Sequence, residues 1–150
     1  LNNVTITKNS AATGDGGGIN NWFGTVNLRN TIIAGNIDPG GQAPDCSGGP
    51  NSLGYNLIGD SNGCAFPTTT GDQVGSPGVP LNPKLGSLAN NAGPTKTHAL
   101  FVTSPAINGG DDTTCLATDQ RGVTRSGVGA HCDIGVRGTV YPLHLPLIIK

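Results

Sequence analysis

The chain has 150 residues, a formal net charge of −1 and only 11% charged residues. Eight Lys and Arg over that length supply no clustered basic surface, which excludes nucleic acid as a partner. No window reaches the roughly 18 consecutive apolar residues of a membrane-spanning helix, and Gly (25) with Pro (11) points to short strands between turns, since disorder at this hydropathy calls for strong net charge.

The first 65 residues carry a weak repeat. Leu1–Asn9, Leu28–Asn36 and Gly54–Asn62 align without gaps, each with Asn at its third and ninth positions. Asn3, Asn30 and Asn56 form one column and Asn9, Asn36 and Asn62 the other, with steps of 27 and 26 residues. A period in the range of roughly 20–50 residues is that of a solenoid or propeller. Equivalent side chains would stack at about 4.8 Å, so the six Asn predict an amide ladder, with Val4/Thr31/Leu57 and Ile6/Ile33 as aliphatic stacks between. The expected fold is all-β: a right-handed parallel β-helix with long irregular loops and an extended C-terminal strand. Residues 1–138 form the β-helix domain, with repeat coils over 1–65, and residues 139–150 form a tail. The chain opens at Leu1 inside an apparent strand and holds no Met, which reads as a processed product or a piece of something longer.

Gly14-Asp-Gly-Gly-Gly18 matches no phosphate-binding or calcium-binding glycine pattern and reads as a tight bend. Trp22-Phe23 is the one candidate platform for stacking a sugar, weighed against packing in a turn. Cys46, Cys64, Cys115 and Cys132 are spaced by 18, 51 and 17 residues, which suggests the local pairs 46–64 and 115–132. Three pairings exist and spacing alone does not choose. Without a CxxC, disulfides outrank zinc, and loops of this length would each gain about 3 kcal/mol in the chain-entropy model. Disulfides imply an oxidising, extracellular or cell-surface location. The sequon Asn3-Val-Thr5 places its Asn in the expected ladder, a poor place for a glycan.

Residues 66–98 carry five prolines, Pro67, Pro77, Pro80, Pro83 and Pro94, and read as an irregular excursion. The closing segment, 99–138, contains Ser104-Pro-Ala-Ile-Asn-Gly-Gly110, Thr118-Asp-Gln-Arg-Gly-Val-Thr-Arg125 and His131-Cys-Asp-Ile-Gly135. With Leu85–Leu100, these runs resemble the C-terminal part of bacterial "choice-of-anchor Q" surface proteins, whose coils are like those of polymorphic outer-membrane and pectate-lyase-like β-helix proteins. Asn108 stands where that family usually has Asp, and Val136-Arg137 replaces its aromatic and Glu. The resemblance implies architecture and surface location and transfers no catalytic residue.

From the residues themselves, Asp119, Arg121, Arg125 and Asp133 suit buried ion pairs that order the loop, because Arg presents a planar fork to a carboxylate. A catalytic Asp/Arg groove is the sharper alternative. Asp111, Asp112 and Asp119 make Ca²⁺ the one weak cofactor candidate, with no EF-type spacing. His98 and His131 lack any nucleophile pattern and read as packing or surface residues.

In the tail, Tyr141, Leu143, Leu145, Leu147 and Ile149 alternate with Pro142, His144 and Pro146. That pattern permits an edge strand, which could lie over its own domain, anchor the protein, or add to a neighbouring copy. The leading expectation is a non-catalytic extracellular structural protein that self-associates head-to-tail through its first rung and this tail. The alternatives are a carbohydrate-active or polysaccharide-binding β-helix and an adhesin contacting other surface proteins.

Overall fold

The computed structural model describes residues 1–125 and 131–138. The assembly-tail residues Tyr141, Leu143, Leu145, Leu147 and Ile149, and with them the expected C-terminal strand, lie outside the described residues. The described residues run through ten strands and no helix: β1 (Thr5–Ile6), β2 (Ile19–Asn21), β3 (Asn27–Leu28), β4 (Ile32–Ile33), β5 (Cys46–Gly48), β6 (Asn51–Ser52), β7 (Leu57–Ile58), β8 (Gln73–Val74), β9 (Leu85–Ala89) and β10 (Thr97–Leu100). They form a four-stranded parallel sheet β1-β4-β7-β8, two parallel pairs, β2-β5 and β3-β6, and an antiparallel pair β9-β10.

The expected right-handed parallel β-helix is therefore corrected to an all-β fold of short strands in separate small sheets. Left-handed backbone brackets the strands of the main sheet: Asn3 (φ 52°) and Lys8 (57°) around β1, Asn30 (48°) and Gly35 (70°) around β4, and Gly54 (101°) with Tyr55 (57°) before β7. Each such residue turns the chain off the extended path, so each strand of this sheet is two residues long, with only isolated bridges such as Asn2–Arg29 and Ser10–Ile37 beyond it. Beyond β8 the chain makes a hairpin and a series of turns in place of further parallel strands. The Pro-rich stretch 66–98 nonetheless holds β8, β9 and the start of β10. Mostly exposed β9 carries no burial alternation that would have marked it.

Register also departs from the gapless alignment. Thr5 pairs with Ile32 and Ile6 with Ile33, a step of 27, but Ile32 pairs with Leu57 and Ile33 with Ile58, a step of 25. Leu57 thus lies beside Ile32 rather than Thr31. Because side chains alternate across a strand, this slip decides which face Leu57 occupies.

Alternation splits the core in two. On one face of the main sheet, Ile32 and Leu57 pack with Ala34, Leu100, Ala106 and Ile134. On the other, Ile33 and Ile58 pack with Leu28 and Cys46, flanked by Ile19, Phe66 and Val74. The first face is covered by the closing segment and the second by β2, β3 and β5, so distant parts of the chain share one sheet. Each fully buried Ile or Leu here contributes about 1.5–3 kcal/mol relative to exposure.

Candidate functional site

The cysteines pair as Cys46–Cys64 and Cys115–Cys132, with Cα–Cα separations of 5.1 and 6.5 Å. These disulfides are consistent with an oxidising, extracellular compartment. Beside the second is a cleft of about 510 Å³, lined by Tyr55, Gln73, Asn108, Asp112 and His131 together with Gly71, Gly109 and Gly110. Asp112 lies three residues before Cys115, and His131 directly precedes Cys132, so the disulfide draws the two together. Asp112 accepts the Cys132 backbone N–H at 2.6 Å through Oδ1 and the His131 Nδ1–H at 2.7 Å through Oδ2. An ionised carboxylate only accepts, which places the proton on Nδ1 and leaves Nε2 to face other partners. Both side chains are more than half exposed. Sequence reading gave His131 no partner; its adjacency to a locally pairing cysteine was the available signal.

Asp119 and Arg121 form the buried ion pair that the closing loop called for. Arg121 donates from Nε, at 2.8 Å, and from Nη2 to a single oxygen, Oδ2, so the contact is not a two-oxygen fork. Oδ1 takes the backbone N–H groups of Arg121 and Val123. Arg121 also reaches the Gly138 carbonyl at 2.8 Å. Arg125 donates to the Gly135 carbonyl at 2.8 Å, and Asp133 accepts the backbone N–H of Asn108 at 2.8 Å. Asn108 holds φ 54°, a left-handed conformation that Asn tolerates well. These four charges brace the closing loops, and none of them lines the cleft. Asp119 stands in this clamp apart from Asp111 and Asp112, and the described residues contain no group of three or more His, Cys, Asp or Glu that could hold a metal ion.

The Asn columns divide. Asn9 donates its Nδ2 to Asn36 Oδ1 at 3.1 Å, the one direct amide contact within a column. Asn36 in turn donates its backbone N–H and Nδ2 to Oδ1 of buried Asp45, both at 2.9 Å. Asn3, Asn30 and Asn56 are buried but bond elsewhere: Asn3 Oδ1 accepts the Leu116 N–H, Asn30 Oδ1 accepts the Asp111 N–H, and Asn56 Oδ1 accepts the Thr31 N–H. Asn62 donates to the Gly41 carbonyl. These amides tie loops to the sheet more than they stack. The buried sequon residue Asn3 offers no surface for a glycan.

Trp22 and Phe23 do not pack in a turn. They are 65% and 97% exposed in the bend that follows β2. His98 places Nδ1 2.7 Å from the Gly86 carbonyl within the hairpin and takes no part in the cleft.

No protein-family model, curated protein or solved structure matches the chain. Function is accordingly read from the geometry. Among the described residues no helix is long and apolar enough to cross a membrane.

The carboxylates set an acid limit. Backbone N–H groups of Ala43, Gly40 and Gln42 hold Asp38 below its ordinary 3.8. Threonine hydroxyls lower Asp111, and His131 with the Cys132 N–H lowers Asp112. For Asp119, burial raises the value, but Arg121 and two backbone N–H groups outweigh it. A depressed folded value gives stability that is complete above 3.8 and lost as pH falls through the folded value. Asp45 runs the other way: burial raises it above 3.8, so its share is present below 3.8 and fades as pH rises through its folded value. With four groups against one, thermal melts should show the melting temperature falling as pH drops below about 4. A melting temperature that rises over that interval would contradict these assignments.

Proposed function

We propose that this is a non-catalytic, extracellular structural protein that self-associates through the open strand edges of its N-terminal third. The observation that carries this reading is shared by three sheets. Among the described residues β1, β2 and β3 each pair on one side only, with β4, β5 and β6 respectively. Ile32 and Ala34 donate to the carbonyls of Val4 and Ile6, so by the alternation of a parallel ladder Thr5 turns its own N–H and C=O to the opposite, unpaired side. Proteins that keep strand edges apart use charge, proline or bulges. Here the edge strands read Thr-Ile, Ile-Asn-Asn and Asn-Leu, two or three residues each, with neither charge nor proline within them. Exposed Leu1, Trp22 and Phe23 lie beside them in the chain and would lose apolar surface to a second copy. The reading of the closing-loop charges as structural braces favours a role without chemistry.

Sedimentation equilibrium tests this. The expected result is an average mass that rises above 15.0 kDa with concentration, and that returns to monomer in a W22K/F23K variant, whose changes fall on exposed side chains. A chain ending at residue 138 shows whether the alternating residues 141–149 supply a strand to the neighbour. A wild-type chain that stays at 15.0 kDa at every concentration would sink the proposal.

A further inference from the structure

We infer that the cleft beside the Cys115–Cys132 disulfide binds a neutral saccharide. Its volume of about 510 Å³ falls within the usual range for small-ligand sites. Four side chains in its wall carry polar atoms without partners among the described residues. Gln73 spends Nε2 on the Pro105 carbonyl, which leaves Oε1. Asn108 uses its backbone N–H and Oδ1, which leaves Nδ2. His131 uses Nδ1, which leaves Nε2. The Tyr55 hydroxyl is the fourth.

This set mixes donors and acceptors, and sugar hydroxyls both donate and accept. Tyr55 adds an aromatic surface. A Cβ on Gly71 would run into its ring, so glycine there lets the ring lie flat against the chain. Charge narrows the ligand further. No Lys or Arg lines the cleft, whereas Asp111 and Asp112 do, which disfavours a uronate or phosphate. Both carboxylates are already bonded, Asp111 to the hydroxyls of Thr113 and Thr114 and Asp112 to His131 and Cys132, which disfavours a ligand selected for a cationic group. An uncharged polyhydroxylated ring satisfies the open atoms without disturbing that network. The inference is independent of self-association, since the cleft is lined by residues beside β7 and in or beside β8 together with the closing segment, and no residue of β1, β2 or β3 lines it.

The test is NMR titration of the full-length W22K/F23K chain with neutral gluco-, galacto- and manno-oligosaccharides, using polygalacturonate as the charged control. At least one neutral sugar should shift the His131 ring signals, and H131A, whose side chain is mostly exposed, should weaken its binding by about tenfold. Q73A should weaken it as well, with folding checked by circular dichroism. If no neutral sugar moves the His131 signals, if H131A binds as tightly as its parent, or if polygalacturonate binds in preference, the inference is wrong.

Discussion

Replacing Asp45 by Ala should cost the fold roughly 3–5 kcal/mol, because three neutral donors would lose one buried acceptor. Asp45 is 2% exposed, yet its two oxygens hold three separate donors. Oδ1 takes the backbone N–H and the amide of Asn36, and Oδ2 takes the Asp60 N–H at 2.7 Å. Asn36 in turn anchors Asn9, so the network spans residues 9 to 60. Alanine would leave these donors buried without an acceptor, and each orphaned group costs about 1–3 kcal/mol. Asn should do less harm. It keeps one oxygen for Asn36 but turns a second donor toward the Asp60 N–H, for a loss of about 1–3 kcal/mol. Urea unfolding at neutral pH separates these outcomes. A loss below about 1 kcal/mol for the Ala variant would show that the network is not a stability element.

Ile134→Ala should destabilise by about 2–5 kcal/mol, the usual cost of emptying a buried aliphatic site. Ile134 is fully buried with Ile32, Leu57 and Ala106, and its backbone N–H is held by the Ala106 carbonyl at 2.9 Å. It joins the closing segment to the main sheet. It also supports the lining of the cleft, where a Cβ on Gly109 would meet its Cδ1 at 3.1 Å. The same variant should therefore loosen the cleft, which the His131 ring signals would report. Ile134→Val should lose only about 0.5–1.5 kcal/mol. If Ala and Val proved equally mild by urea unfolding, the closing segment could not be part of the core.

Several of these features were readable in the residues. The cysteine spacing pointed to two local pairs, and the Asn-to-Asn step of 27 matches the pairing of Thr5 with Ile32. The next step did not carry over, because Gly54 and Tyr55 both take left-handed backbone and shift Leu57 by one place. Residue counting is blind to such a slip. The helical winding inferred from the repeat failed for a related reason: two-residue strands bounded by left-handed residues satisfy local pairing without extending it. In the cleft, Asp112 and His131 are 19 residues apart and meet where the Cys115–Cys132 disulfide joins their segments. Trp22 and Phe23 looked like packing residues because apolar rings usually are, and only the structure shows them in solvent.

Self-association through the open edges is tested most directly by the exchange rate of one amide. The Thr5 N–H points away from β4 and has no partner among the described residues. Hydrogen exchange measured over a range of protein concentrations should show it unprotected in dilute solution and progressively protected as concentration rises. The Ile32 amide, already bonded to Val4, should stay protected throughout. A Thr5 amide that exchanges equally fast at every concentration would contradict the assignment of this edge as the assembly surface.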